Sequence, residues 1–435
     1  MAKIFPFRAL HYALNKNFQL DQLLTPPYDV ISVSDKKKYE RSNPYNVIRL
    51  ILGNPSYEHH HPHDYQNAKK TFSNWIKNKI LTRDVEKSIY IYRQTFNFRN
   101  EKISRTGFIS TVLLPLINSN HDQVLAHERT LEGPKADRLK LMKSCKANFS
   151  SIFSLYNDDH NISGFLSSCI ENKKPDMKAY FPKETLNQIW KVSDRRIIKK
   201  LQLLMKRETL FIADGHHRYE TAKNYQIFRS KRDSHVHGQR PYDYTMMMFV
   251  SMKDPGLLVL PTHRMVLKNH KIDSSNILFQ LQKLGSIETY PVKNYVQVEK
   301  KLHECGIKSP AIGFSFNGKR IYILKFYEKI TSECLSNISS AQKKLDVTLL
   351  QNLILSPILG IDSSDIEHSL RFTSDFQDVL VQLKQKKTPL AFFLNPVKLS
   401  QLKEIAMLGE KMPQKSTFFY PKLITGLLFN DLNSF

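Results

Sequence analysis

The stretch from Thr209 to Tyr225 constrains the fold of this chain more than any other part. Leu210–Ala213 is an apolar run with the length of a buried strand. Asp214 and Gly215 interrupt that run, and the residues from His216 onward follow a helical pattern. The stretch therefore predicts a strand, a glycine turn and a helix.

The start of the predicted helix has the features of an anion-binding site. Backbone N–H groups in the first turn of a helix have no partner within the helix, and this end of the helix is positive. His216, His217 and Arg218 add side chains that donate hydrogen bonds or carry positive charge, which is unfavourable there unless an anion binds. A helix capped by Asp214 and followed by two solvated histidines explains the same residues without a ligand.

Length and composition limit the classes of protein. A chain of 435 residues exceeds what one hydrophobic core supports, so we expect two or three lobes. A net charge of +25 suits an anionic partner, but the basic residues are spread along the chain, which places nucleic acid second to a phosphorylated small molecule. The four cysteines form no CxxC pair. Because no signal segment or 18-residue apolar run occurs, we expect a cytoplasmic protein without a membrane partner.

The first fifty residues contain three candidate ligand contacts. Two prolines before Tyr28 and Asp29 fix an extended loop that gives both side chains a defined direction. Residues 43–53 read as a turn and a buried strand whose only charge is Arg49. An arginine in an apolar strand needs either an internal salt bridge or an anion, such as the carboxylate of an amino acid.

Simple patterns predict most other elements. The histidine tract His59–His63 lacks the spacing of a closed metal site and is predicted to be a solvated loop. The remaining expectations are an opening strand at 6–10, a helix at 64–80, strands at 89–92 and 108–113, a mostly helical segment at 160–208, and strands at 246–252 and 257–264.

A second group of chemical residues lies between residues 126 and 148. Gly133–Pro134 separates a loop, which carries His127–Arg129, from a helix. Lys135 and Arg138 share one face of that helix and could clamp one phosphate, or belong to a solvated charged face. Glu128 lies between two potential cations, so we expect it to stay ionised and to act as a base.

Two further groups are candidates by residue type and placement. Thr262–Arg264 follows a predicted strand, where ligand-facing residues are common. Lys415–Thr417 and Lys422 are phosphate-contact residue types among aromatic residues near the C-terminus. A C-terminal strand that covers the core explains this last group equally well.

Five stretches resemble, in order along the chain, the bacterial and archaeal family known as domain of unknown function 1015. They are Pro26–Ser32, Asn43–Arg49, His127–Leu139, Ala213–Ala222, and Met412–Thr417 together with Tyr420–Lys422. Members of this family include proteins that look like kinases of free serine with pyrophosphate as phosphoryl donor. The Asp-Gly-His-His-Arg turn is also similar to the phosphate-binding turn of the ParB/sulfiredoxin superfamily.

The fold that the resemblance implies is α/β (α+β), with a mixed-sheet core that carries a ParB/sulfiredoxin-like strand–turn–helix. We expect residues 1–270 to form a catalytic α/β core with the Asp-Gly-His-His-Arg motif and residues 271–345 to form a small α/β lobe. Residues 346–435 are expected to form a helical segment with a closing strand that returns to the core and carries the Lys-Ser-Thr motif.

The function implied is that of a small-molecule kinase, which transfers a phosphoryl group from pyrophosphate, ADP or ATP to the hydroxyl of free L-serine. Glu128, Asp214 and His217 are the expected catalytic residues, and Asp214 is the expected ligand of Mg²⁺. The expected phosphate-binding residues are Gly215, His216, Arg218, Lys135, Arg138, Lys415, Ser416 and Thr417. The expected substrate-binding residues are Tyr28, Asp29, Arg49, His127, His263, Arg264 and Lys422.

Two other functions fit the same residues. A ParB-like nucleotide- or nucleic-acid-binding module would use the motif without turnover, although no helix-turn-helix or basic arm adjoins it. A pyrophosphate or nucleotide hydrolase would use water as the acceptor. The sequence contains no Walker-type or GxGxxG motif, which favours pyrophosphate or a non-standard nucleotide mode. The donor and the oligomeric state, a homodimer included, stay open.

Overall fold

The computed structural model of the protein describes residues 2–14, 16, 18–52, 65–117, 123–130, 132–233 and 236–433. The chain divides into two compact units. Unit 1 comprises Met1–Leu125, Thr130–Leu258 and Pro421–Phe435, and unit 2 comprises Ala126–Arg129 and Val259–Tyr420. The predicted boundaries at residues 270 and 345 do not coincide with this division, because membership of a unit depends on contacts between residues far apart in sequence.

Unit 1 is built on a mixed sheet with helices packed around it. Its strands are β1 (Ile4–Phe5), β2 (Leu10–Tyr12), β3 (Leu81–Arg83), β4 (Ile89–Phe98), β5 (Glu101–Leu113), β6 (Val124–Leu125), β7 (Ala147–Asn148), β8 (Ile152–Tyr156), β9 (Met177–Tyr180), β10 (Leu186–Val192), β11 (Leu210–Asp214), β12 (Tyr244–Ser251) and β21 (Asn430–Asp431). Its helices are α1 (Val33–Ser42), α2 (Ile48–Ile51), α3 (Gln66–Lys77), α4 (Glu132–Cys145), α5 (Ile162–Ile170), α6 (Arg195–Met205) and α7 (His216–Ser230).

The order of strands in the main sheet of unit 1 is β6-β11-β8-β12-β5-β4-β10-β9, with β1 paired to β5. The pairs β6–β11 and β8–β12 are parallel, whereas β8–β11, β5–β12 and β4–β5 are antiparallel. Every residue of β12 is buried, as its continuous apolar sequence indicates for a strand covered on both faces. The predicted α/β fold with a mixed sheet is confirmed.

Unit 2 has its own sheet and core, and the boundary strand β13 (Leu258–Leu260) precedes it. Its strands are β14 (His263–Val266), β15 (Gly285–Pro291), β16 (Ala311–Ser315), β17 (Arg320–Phe326), β18 (Leu370–Thr373), β19 (Ala391–Phe393) and β20 (Phe418–Tyr420). Its helices are α8 (Ser274–Leu284), α9 (Tyr295–Lys308), α10 (Glu328–Cys334), α11 (Ser340–Lys343), α12 (Asp346–Leu349), α13 (Ile366–Ser369), α14 (Phe376–Lys384) and α15 (Leu399–Met407). The sheet order is β15-β17-β16-β19-β14-β18.

Three predicted elements were wrong. Residues 43–53 contain the helical turn α2 instead of a strand, because the Asn46 side chain accepts from the Ile48 N–H at 2.9 Å and starts the turn. The run at 257–264 splits into β13 and β14 at Pro261, which cannot donate to a strand ladder. The predicted opening strand at 6–10 lies between β1 and β2, and of its residues only Leu10 belongs to a strand.

The segment at 160–208 is also different from the prediction. It contains the strands β9 and β10, which pair with each other and extend the main sheet beyond β4. In β9 buried and exposed residues alternate, which is the period-2 pattern of a strand, but the strand has only four residues. The predicted loop at His59–His63 lies outside the described residues. Within the described part of the chain, no helix is long and apolar enough to cross a membrane.

The pairing of β5 with β12 depends on a glycine. Gly107 lies opposite Val250, and a Cβ atom at this position would collide with the backbone oxygen of Phe249. We expect Gly107→Ala to lower the free energy of unfolding by about 1–3 kcal/mol, because the clash is with backbone that cannot rotate away. Urea unfolding followed by circular dichroism measures this.

Gly133→Ala is the matched control, because nothing lies within 4 Å of the added methyl group. We expect its free energy of unfolding to stay within about 0.5 kcal/mol of the wild type. Equal urea midpoints of unfolding for Gly107→Ala and Gly133→Ala would contradict the close approach of β5 and β12 at Gly107.

Candidate functional site

The predicted strand, glycine turn and helix are present as β11, Gly215 and α7. Gly215 has φ +94°, a conformation that residues with a side chain rarely adopt. A Cβ atom there would also lie 2.8 Å from the Arg218 guanidinium, which folds back over the turn. The turn therefore requires glycine for two independent reasons, and no side chain caps the N-terminus of α7.

Asp214 is the acceptor of two cations. Arg218 Nη2 donates to one carboxylate oxygen at 2.7 Å, and Lys422 Nζ donates to the other. Burial of Asp214 favours the protonated acid, but the charges of Lys422 and Arg218 outweigh burial and hold the pKa of the carboxyl well below its usual range. Asp214 is thus ionised and ties the end of β11 to α7 and to the C-terminal segment of unit 1.

Arg218 also connects the helix to the chain before β8. Its Nη1 donates to the backbone oxygen of Ser151 at 2.5 Å and to Ser150 Oγ at 3.2 Å. With the bond to Asp214, three of the five N–H groups of this guanidinium are used within the protein. The guanidinium is therefore held in one orientation.

Arg218 borders a small pocket inside unit 1. The pocket has a volume of about 50 Å³, and its polar lining includes Tyr28, Arg138, Thr221 and Thr425. A volume of about 10–15 Å³ is enough for the centre of one water molecule, so this pocket has room for a few waters or one tetrahedral anion. The described residues that line it include two arginines and no carboxylate.

Three hydroxyl groups at this pocket have no hydrogen-bond partner among the described residues. Thr221 and Thr425 are each 1% exposed, and their Oγ1 atoms are buried. Tyr28 is partly exposed, and its burial raises the pKa of the phenol to about 12, so the hydroxyl keeps its proton and can donate. A buried hydroxyl without a partner costs about 1–3 kcal/mol, which a bound polar ligand would offset.

Arg138 is the second arginine that lines this pocket. Its guanidinium lies 4.2 Å from the centre of the Tyr28 ring and donates to Asp137, to Tyr65 Oη at 2.7 Å and to the Ile51 oxygen at 3.0 Å. Burial disfavours the charged form, but the neighbouring Tyr65, Asp137 and Tyr28 raise the pKa of the guanidinium above its ordinary value. Arg138 stays cationic inside the protein.

A second polar cluster lies within unit 2. Lys415, which has φ +54°, donates its backbone N–H to Glu128 Oε1 at 3.2 Å, and Met412 N donates to the His127 oxygen at 2.7 Å. Arg264 is 3% exposed and donates to the backbone oxygens of Thr262, at 2.6 Å, and of residues 414 and 415. Hydrogen bonds therefore connect the segment 126–129 to the stretch that carries the predicted Lys-Ser-Thr motif.

Two histidines in unit 2 are neutral. Burial, together with a nearby cation, lowers the pKa of both His127 and His263 to about 3. His263 Nδ1 accepts from the Leu394 N–H at 3.2 Å, and its ring packs against Phe376 and Phe393. The expectation that Glu128 lies between two cations was wrong for His127, because a fully buried imidazole loses its proton.

The other predicted residues are placed as follows. Lys135 Nζ donates to the Glu132 carboxylate at 2.6 Å. Arg49 Nη2 donates to the backbone oxygen of Glu40 at 2.7 Å, and Arg49 makes no salt bridge to a described residue. Arg49 also lies in the helical turn α2 instead of the expected strand. Asp29 is exposed, His216 and Ser416 are buried, and His217 and Thr417 are partly buried. His127 Nε2 lies 3.4 Å from Thr417 Oγ1. Their roles toward a ligand stay predictions.

Two pocket residues, Thr221 and Thr425, were missed in the sequence. Thr221 follows Arg218 by three residues, so helical spacing places both on one face of α7, and this signal was available. Thr425 precedes Gly426, which has φ +111°, in a short segment whose position depends on a backbone pairing between Thr425 and Thr25. That pairing joins residues 400 positions apart, and no local pattern indicates it.

A resident magnesium ion does not fit the residues around Asp214. Both carboxylate oxygens already accept from cations, and a third cation would be repelled by Lys422 and Arg218. Among the described residues, no group of three or more His, Cys, Asp or Glu side chains could hold a metal ion. The surroundings of Asp214 therefore do not support the predicted role of its carboxylate as a magnesium ligand.

The mixed sheet and the basic, hydroxyl-lined pocket beside a strand–turn–helix define an α/β protein with a candidate anion site. This chain belongs to the family described as Protein of unknown function (DUF1015), whose model matches residues 4–348. No protein of curated function matches the sequence.

Solved structures with some similarity include a free serine kinase variant in complex with AMP, with a TM-score of 0.36 and 10% identity over 68% of this chain and 84% of that one. SbnI with a C-terminal truncation, from Staphylococcus aureus, has a TM-score of 0.36 and 9% identity over 72% and 85% of the two chains. A conserved hypothetical protein from Pyrococcus furiosus has a TM-score of 0.33 and 11% identity over 69% and 89%. TM-scores of this size carry no argument about function.

The shared carboxylate at Asp214 predicts a large effect on stability. Asp214→Asn leaves two cations without their anion inside the protein, so we expect the free energy of unfolding to fall by about 3–5 kcal/mol. Because the folded-state pKa lies below the unfolded one, this contribution is fully present above about pH 4 and is lost only in stronger acid. Denaturant unfolding of wild type and variant between neutral and acidic pH measures both effects.

Asp233→Asn is the matched control, because Asp233 also accepts from an arginine four residues away on α7, at 2.7 Å, but at a more exposed position. We expect a much smaller loss of stability there. Similar losses in both variants would show that Asp214 contributes no more than an ordinary surface ion pair.

Proposed function

We propose that this protein is a phosphotransferase that binds the phosphoryl donor at the pocket between Arg138 and Arg218 and transfers the phosphoryl group to the hydroxyl of free L-serine. The observation that carries the proposal is the pair of buried hydroxyls, of Thr221 and Thr425, which line the pocket and have no partner among the described residues. L-Serine is the acceptor that the family resemblance implies.

The pocket offers the groups that a phosphate requires. Phosphate oxygens accept several hydrogen bonds at once, and arginine donates to them with a fixed geometry. Arg218 has two N–H groups beyond those it donates to Asp214, Ser150 and Ser151. Together with three hydroxyl donors they provide enough hydrogen bonds for a tetrahedral anion.

The pocket has room for a phosphoryl group. A volume of about 50 Å³ is enough for one tetrahedral group. Pyrophosphate, ADP and ATP all end in such a group, so each remains a possible donor. Magnesium enters with the donor phosphates, as a companion of the substrate.

The transfer needs little covalent participation by the protein. The serine hydroxyl oxygen forms a bond to phosphorus, the bond between phosphorus and the bridging oxygen of the donor breaks, and the hydroxyl proton passes to a base. His217, in the first turn of α7 one residue before Arg218, is the proposed base.

Phosphorus NMR tests the activity directly. The protein, Mg²⁺ and L-serine are mixed with pyrophosphate, ADP or ATP in separate tubes, and His217→Asn is measured in parallel. We expect a phosphoserine signal with one donor and its loss in the variant, since an amide cannot accept the hydroxyl proton. Orthophosphate without phosphoserine would indicate a hydrolase, and an unchanged donor in every tube would refute the proposal.

The pocket hydroxyls allow a test that separates binding from folding. Thr221→Val and Thr425→Val keep the shape of the side chain and remove a hydroxyl that bonds to none of the described residues. We expect stability to be unchanged or higher, because the cost of an unsatisfied buried hydroxyl disappears. We expect kcat/KM for the donor to fall about tenfold for each lost hydrogen bond.

Thr348→Val is the matched control, because Thr348 Oγ1 is also buried without a partner among the described residues but lies in unit 2. We expect the stability of Thr348→Val to be unchanged or higher, as for the two pocket variants. Its kcat/KM for the donor should equal that of the wild type. Full activity in all three valine variants would contradict donor binding at this pocket.

A further inference from the structure

Unit 1 contains a second, larger pocket, at the beginning of the chain. Its volume is about 170 Å³, and it shares no lining residue with the pocket at Arg218. The residues that line it include Phe5–Arg8, Tyr244 and Asn430. They come from three parts of the chain, and none of them has a role in the proposed phosphoryl transfer.

Most of the pocket wall is apolar, and its backbone groups are satisfied. Ser110 Oγ and Thr111 Oγ1 both donate to the Phe5 oxygen, and Phe7 exchanges two backbone hydrogen bonds with Ser88. The rings of Phe5 and Tyr244 form an edge-to-face pair with centres 5.0 Å apart. These contacts fix the position of the wall, so a ligand in the pocket would contact aromatic rings and prolines.

The polar side of the pocket is positive. Arg8 Nε donates to the backbone oxygen of Asp84 at 3.0 Å, and its two terminal nitrogens donate to no acceptor among the described residues. Lys87 adds a second cation on an exposed side chain. The described residues that line this pocket include no carboxylate. A guanidinium fixed through Nε, with both terminal groups available, is a suitable partner for a carboxylate in the two-pronged geometry that arginine favours.

The volume indicates how large the apolar part of a ligand is. An engineered protein cavity of about 150 Å³ binds benzene, so about 170 Å³ has room for one ring or a short alkyl chain. The pocket walls favour an apolar body, and Arg8 favours an anionic head.

We infer that this pocket binds a small monocarboxylate with an apolar body of the size of one ring. The carboxylate pairs with the terminal nitrogens of Arg8, and the apolar body lies between Phe5, Pro6 and Tyr244. Burial of the body supplies the affinity, and the paired charges supply the selection for an acid over a neutral molecule.

Calorimetric titration of the full chain tests the inference with 3-phenylpropanoate as probe. Hexanoate tests an alkyl body, 3-phenylpropanamide removes the charge, and propanoate removes the ring. We expect 3-phenylpropanoate or hexanoate to bind with a Kd of about 1 mM or tighter, and the amide and propanoate to bind at least about tenfold more weakly. Arg8→Gln should weaken binding of the acid about tenfold and leave binding of the amide unchanged.

Arg196→Gln is the control, because the Arg196 side chain is 94% exposed and lies outside the pocket lining. Thermal unfolding verifies that Arg8→Gln is folded, and its transferase rate should equal that of the wild type, which separates this site from the proposed active site. Equal affinity of acid and amide, equal affinity of Arg8→Gln and wild type, or no binding of either acid in the millimolar range would overturn the inference.

Discussion

The carboxylate of Asp214, shared between Arg218 and Lys422, holds the candidate site of unit 1 together. It stands at the end of a buried strand, and its two partners come from the first turn of α7 and from the segment 421–435. Two cations and one carboxylate leave a net positive charge in a partly buried place, whereas Arg138 is paired with Asp137. This excess is costly in a protein interior unless an anion arrives.

The pocket hydroxyls point to the same conclusion by a different physical route. Charges can be placed for structural reasons, but a buried hydroxyl that bonds to nothing gives no structural benefit. Thr221 and Thr425 reach the pocket from a helix and from a short segment far away in sequence, and both leave Oγ1 without a partner among the described residues. Thr348 Oγ1 also lacks a partner among the described residues, so it is the position of Thr221 and Thr425 at the basic pocket that points to a ligand.

Local patterns sufficed to predict the strand–turn–helix, because an apolar run, an Asp-Gly pair and helical spacing all lie within seventeen consecutive residues. They also predicted Arg138 as a basic residue of the site. Its expected companion Lys135 bonds to Glu132 instead. Helical spacing shows that both residues share a face, but it does not show that only Arg138 is buried. His263 and Arg264 were expected to face a ligand after a strand. They begin β14 instead, since Pro261 ends the preceding strand. The assignment of 126–129 to unit 2 depends on bonds to residues near 412, which no local pattern shows.

The last segment of unit 1 has a consequence for biosynthesis. Arg105, in the middle of the main sheet, donates to the Pro421 oxygen at 2.6 Å, and Lys422 completes the environment of Asp214. Both partners from the C-terminal segment leave the ribosome only after all of unit 2 has been made. Until then a nascent chain carries Asp214 without Lys422 and Arg105 without the Pro421 oxygen, although Arg218 and Gln94, their other partners, are already present. The anion pocket, which Thr425 helps to line, is completed only after unit 2 has been made.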